Sequence, residues 1–236
     1  MNCVFLTLLA LFAWCARGLA EIPAPFGDET LRYSVSWPSG LGLGEGEMRA
    51  KRVNGPDGSV ERWEFELTLD AAVPGFRVVD KYRSVAMPDL CSVEFEKEST
   101  HGKRKARERT TFEPEKGTAT RQTLGGGGKS EIPISTCAKD ALTFLYYVRS
   151  ELSRGRVAPP QTILFGAPYS IRLEYGGRQM LRFQETKVET DRFVATVKGK
   201  ASDVTFEIFF ALDAARRPVM IRAPLPLGTF SMQLVE

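Results

Sequence analysis

The stretch Trp63-Glu64-Phe65-Glu66-Leu67-Thr68-Leu69-Asp70-Ala71 places an apolar side chain at every odd position and a polar one between. Successive side chains of a β-strand point to opposite faces, so a period of two describes a strand with one dry and one wet face. The pattern recurs on both sides. Leu31, Tyr33, Val35 and Trp37 alternate with Arg32, Ser34 and Ser36; Val204, Phe206, Ile208, Phe210 and Leu212 form another stripe; Phe230, Met232 and Leu234 follow. Further strand-like runs are 78–86, 91–98, 103–112, 170–175, 180–188 and 193–197. Between them stand turn signals: Asn54-Gly55-Pro56-Asp57-Gly58, His101-Gly102, Gly176-Gly177 and Lys198-Gly199. Short connections between alternating strands predict a mostly antiparallel meander.

One segment breaks the period. Ala141, Leu142, Phe144, Leu145, Tyr146, Tyr147 and Val148 are nearly continuous, with Leu145, Val148 and Leu152 at helical spacing from Ala141. Thr136 is read as the cap, Asp140 as a first-turn residue, and Arg154-Gly155 with Pro159-Pro160 as the stop. A helix over 138–153 so apolar on most sides has to be surrounded, with Leu145 fully enclosed. The predicted fold is mainly β, an antiparallel meander forming a curved sheet or open barrel or sandwich around one buried α-helix. The strands fall in two lobes, about 28–123 and 160–236, of a single domain over 21–236.

Three quoted stretches resemble a known family. They are Phe26-Gly27-Asp28-Glu29-Thr30-Leu31-Arg32-Tyr33-Ser34-Val35-Ser36-Trp37 with the Gly-rich 41–48, then Asp140-Ala141-Leu142-Thr143-Phe144-Leu145-Tyr146-Tyr147-Val148-Arg149, and Arg217-Pro218-Val219 with Pro226-Leu227-Gly228-Thr229-Phe230 to Leu234. Together they are similar to the bacterial exported family of unknown function numbered 3108 (DUF3108). The resemblance implies a β-rich envelope protein and carries over no catalytic residue.

The first twenty residues predict export. The run from Val4 to Trp14 is apolar apart from Thr7, too short to span a bilayer, and Gly18-Leu19-Ala20 supplies the small residues of a signal-peptidase site, so cleavage is expected after Ala20. The compartment is then the periplasm or envelope of a bacterium, and the mature protein does not span the membrane. Cys3 and Cys15 leave with the leader. Cys91 and Cys137 remain, and pairing them is the expected outcome in an oxidising compartment. The alternative is a reactive thiol at Cys137, near the helix start. The 236 residues carry 32 basic and 29 acidic side chains, a net charge of +3, and 43% of them are hydrophobic. That near balance gives no general field for nucleic acid.

Motifs for chemistry are thin. Gly125-Gly126-Gly127-Gly128-Lys129-Ser130 imitates a phosphate loop, but Thr123 stands where the motif requires glycine and Pro133 blocks the helix. It is read as a flexible linker. Lys103, Lys105, Arg107 and Arg109 share one strand face, a candidate patch for an anionic partner set against the ordinary reading of a solvated face. The one histidine, His101, lies in a polar turn, and Glu94, Glu96 and Glu98 alternate as a solvent face does. No catalytic residue, metal site or cofactor is predicted.

Three function classes follow. The first is a non-catalytic envelope protein whose sheet holds an apolar or amphipathic ligand, or an envelope partner, against the helix; its candidate contacts are Trp63, Phe65, Phe144 and Tyr147. The second is an outer-membrane β-barrel. The third is a hydrolase of envelope polymers.

Overall fold

The computed structural model describes residues 24–235 apart from 38, 74, 184–185, 201–202 and 226–227; the expected leader and its cleavage site lie outside the described residues. In chain order the strands of the first half are β1 (Glu29–Ser36), β2 (Gly42–Asn54), β3 (Val60–Val73), β4 (Phe76–Ala86), β5 (Ser92–His101), β6 (Arg104–Glu113), β7 (Thr118–Thr123) and β8 (Lys129–Pro133). Then come β9 (Lys139–Asp140), the helix α1 (Ala141–Ser153), β10 (Gln161–Leu164), β11 (Pro168–Phe183), β12 (Thr186–Lys198), β13 (Asp203–Ala211), β14 (Pro218–Leu225) and β15 (Gly228–Leu234).

All of these strands belong to one 15-stranded sheet that runs from β8 back to β1, across to β15, and back again to β9. Neighbours pair antiparallel except β9 and β10, which are parallel. The two halves meet where Tyr33 lies opposite Leu234 and Val35 opposite Met232. The two ends of the sheet, β8 and β9, do not pair with each other, so the predicted curved sheet is present and is not closed into a barrel.

The alternation dictates which side is dry. Trp63 and Phe65 point inward and are buried, while Glu64 and Glu66 point outward. The outward face is a ladder of opposite charges. By register Arg49 faces Glu66, Glu66 faces Arg83, Arg83 faces Glu96, and Glu96 faces Arg109, one row across five strands. Opposite charges directly across a pair favour that register, and like charges disfavour a slipped one. The Gly-rich part of β2 has a steric reason: a Cβ on Gly44 would sit 2.0 Å from the Asp70 carbonyl oxygen of β3.

Inside the curl, α1 is apolar on two sides because it has two walls. Leu142 and Tyr146 belong to a core with Phe26, Tyr33, Trp63 and Phe65 from the first half of the chain. Phe144, Val148 and Leu152 pack into a second core with Ile171, Phe193 and Ile208 from the other half. The first core is tight: the Phe65 and Tyr146 rings stack with centroids 3.9 Å apart.

Polar groups fix the helix in place. Asp140 is fully buried and caps α1, its Oδ1 accepting from the backbone N–H groups of Leu142 at 2.8 Å and Thr143 at 2.9 Å. Its Oδ2 accepts from Ser84 of β4 and Ser92 of β5, both at 2.6 Å, and from Thr143 Oγ1 at 2.8 Å. Near the other end of the helix the fully buried Arg149 forms a two-pronged pair with Glu29 of β1 and donates from Nε to the Ala215 carbonyl at 3.0 Å. Its guanidinium lies 5.0 Å from the ring centroids of both Phe26 and Tyr146.

Several sequence expectations are corrected. The helix begins at Ala141, not at 138, and Asp140 caps it where Thr136 was expected to; the segment 139–140 is extended, pairing with β10 as β9. Leu145 is partly accessible, for a reason given below. Gly125–Gly128 is no linker between strands and helix: it turns the β7–β8 hairpin, with Thr123 N–H donating to the Gly128 carbonyl at 3.1 Å. Gly176-Gly177 is a bulge inside β11, with Gly177 at φ +89°, so the runs 170–175 and 180–183 form one strand.

The cysteines pair as expected. Cys91 and Cys137 are joined with their Cα atoms 4.7 Å apart, closing a separation of 46 residues and tying the start of β5 to the segment that leads into α1. A bridge of that span stabilises by roughly 3–4 kcal/mol through the unfolded chain. The paired Cys91→Ala and Cys137→Ala protein is therefore expected to unfold at a lower urea concentration with an otherwise native circular dichroism spectrum. An unmoved midpoint would show that the bridge constrains nothing.

Candidate functional site

Where α1 faces β10 to β14 the two apolar surfaces do not fully meet, and a cavity of about 460 Å³ remains. The helix contributes Ala141, Phe144, Leu145 and Val148, which fall on one side at helical spacing. The opposite wall is built from alternate residues of neighbouring strands, Ile171 beside Val197 and Val204, then Phe206 and Ile208. Tyr169 carries the lining's one polar side-chain atom. This is why Leu145 is not enclosed: it looks into the cavity.

The size decides between a packing defect and a site. Ligand pockets run from about 300 to 1,000 Å³. A sealed void of about 460 Å³ would cost on the order of 10 kcal/mol at ~24 cal/mol per Å³, comparable to the whole stability of a domain. The cavity is instead partly open to solvent, and Val204 on its wall is 39% exposed. An adjoining recess of about 250 Å³ shares Tyr169 with it and is lined by Arg121, Ser130 and Lys200. A hollow of about 500 Å³ near Tyr33 is walled in part by Glu45, Glu47, Asp70, Asp80 and Lys81, and so is far more polar.

Of the four residues expected to contact a ligand, Phe144 lines the cavity. Trp63 and Phe65 do not reach it, being spent on the packed core around Phe26 and Tyr146. Tyr147 turns aside under Lys139, whose Nζ sits 4.4 Å from its ring centroid. Burial pushes the Tyr147 phenol up and the Lys139 ammonium down from their ordinary values. The cavity residues that sequence reasoning missed, among them Ile163, Phe206 and Ile221, carry only the apolar alternation common to every strand.

The expected basic stripe is exposed but largely matched. Arg107 pairs with Glu98 at 2.7 Å and Arg109 with Glu96 at 2.7 Å, as the ladder's register requires, while Lys103 sits in the β5–β6 turn and Lys105 on the outer face of β6. His101 ends β5 with Nε2 2.9 Å from the buried Asp80 carboxylate. Among the described residues no hydroxyl or thiol is hydrogen-bonded to that ring. Burial, and then the Asp80 charge, raise the Tyr82 phenol far above its ordinary value. Among the described residues, the potential metal ligands that cluster are Asp89, Cys91 and Cys137, but the two sulfurs are bonded to each other, leaving a single carboxylate.

The profile of a family described as protein of unknown function (DUF3108) matches residues 32–235. The chain belongs to that family. The DUF3108 resemblance drawn from the opening hairpin, the helix and the closing hairpin is thus borne out across most of the sequence. A solved structure, described as a β-barrel-like protein of domain of unknown function DUF1849 from Brucella abortus, superposes with a TM-score of 0.57 at 9% sequence identity, covering 89% of this chain and 96% of that one. At that identity the likeness is one of fold. No curated protein matches this DUF3108 chain. Among its described residues no helix is long and apolar enough to cross a membrane.

Proposed function

We propose that this protein is a non-catalytic, exported component of the bacterial cell envelope that holds an apolar or amphipathic ligand between α1 and the β10–β14 wall. The observation that carries the reading is the apolar cavity of about 460 Å³ beside Phe144, partly open to solvent. Export is supported by the leader-like first twenty residues and by the Cys91–Cys137 bridge, since disulfides persist in oxidising compartments. The outer-membrane reading is disfavoured by the free sheet ends and the outward charge ladder. Unpaired strand edges and charged side chains are both costly against hydrocarbon.

The ligand is testable without knowing its identity. The protein purified from its native compartment is expected to carry a small apolar molecule visible by native mass spectrometry, and added ligand at a hundredfold excess over Kd should stabilise it by about 2.7 kcal/mol. Leu145→Trp, which projects an indole into the cavity, is expected to abolish that uptake without lowering the unligated melting temperature, because filling a cavity stabilises as often as it strains. A protein that is ligand-free and unshifted by a panel of envelope lipids, before and after the substitution, would end the ligand reading.

A further inference from the structure

The mouth of the cavity has a sign of charge. Lys97 of β5 places Nζ 4.5 Å from the centroid of Phe165, which lines the cavity. Arg121 of β7 and Lys200 of the β12–β13 connection line the adjoining recess, together with Ser130 and the Tyr169 that the two spaces share. The acidic member of this group is Glu108, which accepts from Arg121 Nη2 and lies opposite Lys97 in the register. Three cations therefore meet one carboxylate. The Arg121 Nε–H is buried and, among the described residues, has no hydrogen-bond acceptor. That donor has no accessible surface for a ligand atom to touch, so what Arg121 offers the recess is the charge of its guanidinium.

The cavity's volume limits what lies behind that mouth. At about 30 Å³ per methylene, close to the liquid volume of a water molecule, about 460 Å³ accommodates roughly 15 methylenes, one chain and not two. Resting on the ligand reading above, we infer that the cavity takes the single acyl chain of an anionic amphiphile, its carboxylate or phosphate head held in the recess by Arg121 and Lys200 with Lys97 nearby. The chain's terminal methyl lies toward Ile208 and Ile221, and the head is left at the solvent side by Tyr169.

Isothermal titration below the micellar limit tests this on the full mature protein with four probes of equal chain length: palmitate, 1-palmitoyl-lysophosphatidylglycerol, hexadecanol and 1-palmitoyl-lysophosphatidylcholine. Palmitate, lysophosphatidylglycerol or both should bind about fivefold or more tightly than the two probes without net charge at low salt, the sum of several partly exposed charge contacts. Whichever anion binds tighter identifies carboxylate or phosphate as the preferred head. In the paired Lys97→Gln and Lys200→Gln protein that ratio should fall toward one. Equal binding of charged and neutral probes, or a ratio indifferent to the two substitutions, would overturn the anionic head and leave a cavity that reads only the tail. Failure of every probe, hexadecanol included, would instead remove the ligand reading itself.

Discussion

Asp140→Ala is expected to be among the most destabilising single substitutions in the molecule, costing on the order of 4–6 kcal/mol. The helix cap alone is worth about 0.5–2 kcal/mol. The larger part comes from Ser84, Ser92 and Thr143, whose hydroxyls all donate to the same buried oxygen: without it Ser84 and Thr143, 2.6 Å apart, can satisfy only one donor between them, and Ser92 loses its acceptor. Each buried polar group left unsatisfied costs about 1–3 kcal/mol. Against a total stability of about 5–15 kcal/mol, urea titration should find the variant mostly unfolded or close to it. Asp140→Asn retains an oxygen for the two backbone donors and is expected to fall between the two. A midpoint for Asp140→Ala indistinguishable from the parent would mean that the helix is held by its apolar faces alone.

Arg149 and Glu29 should respond unequally to truncation. Removing Glu29 leaves a guanidinium that is fully buried with one backbone carbonyl for company, and breaking a buried pair in this way costs about 3–5 kcal/mol. Removing Arg149 leaves the Glu29 carboxylate, whose side chain is 15% exposed and can recover part of its hydration. Glu29→Ala is therefore expected to be the more damaging, and the paired Glu29→Leu and Arg149→Met protein to regain much of the loss. Chemical unfolding of the three variants checks the order. If Arg149→Met proves the worse, the packing of the guanidinium against Phe26 and Tyr146 outweighs the charge.

The sheet was legible because its signal is local. Trp63, Phe65, Leu67 and Leu69 announce a face by themselves, and the charges between them announce the other. The two anchors of the helix were not. Asp140 looks like any acidic residue near a helix start until Ser84 and Ser92 arrive from two strands, roughly fifty residues earlier in the chain. Glycine pairs misled in both directions, since a dipeptide able to adopt positive φ serves a bulge at Gly176-Gly177 as well as a turn. The cavity was the least legible feature. Phe144 and Phe65 are both phenylalanines on the apolar face of their element, and what separates them is whether a partner ring arrives to fill the space, as Tyr146 does for Phe65. An absence of packing is a property of the assembled walls, which no single stripe records.

The pairing of β1 with β15 also has a meaning in time. Tyr33 and Leu234 meet across nearly the whole length of the chain, so one edge of β1 stays open until β15 has been made. The hairpins of each half are local and can form early, whereas this one junction must wait and is slow for the same reason, the entropy of closing so long a loop. During that interval β1 is an unguarded template for strands of other molecules. A chain that is threaded across a membrane before it folds would pass through this vulnerable stage outside the cytoplasm, where keeping β1 unoccupied until β15 arrives becomes the step that decides yield.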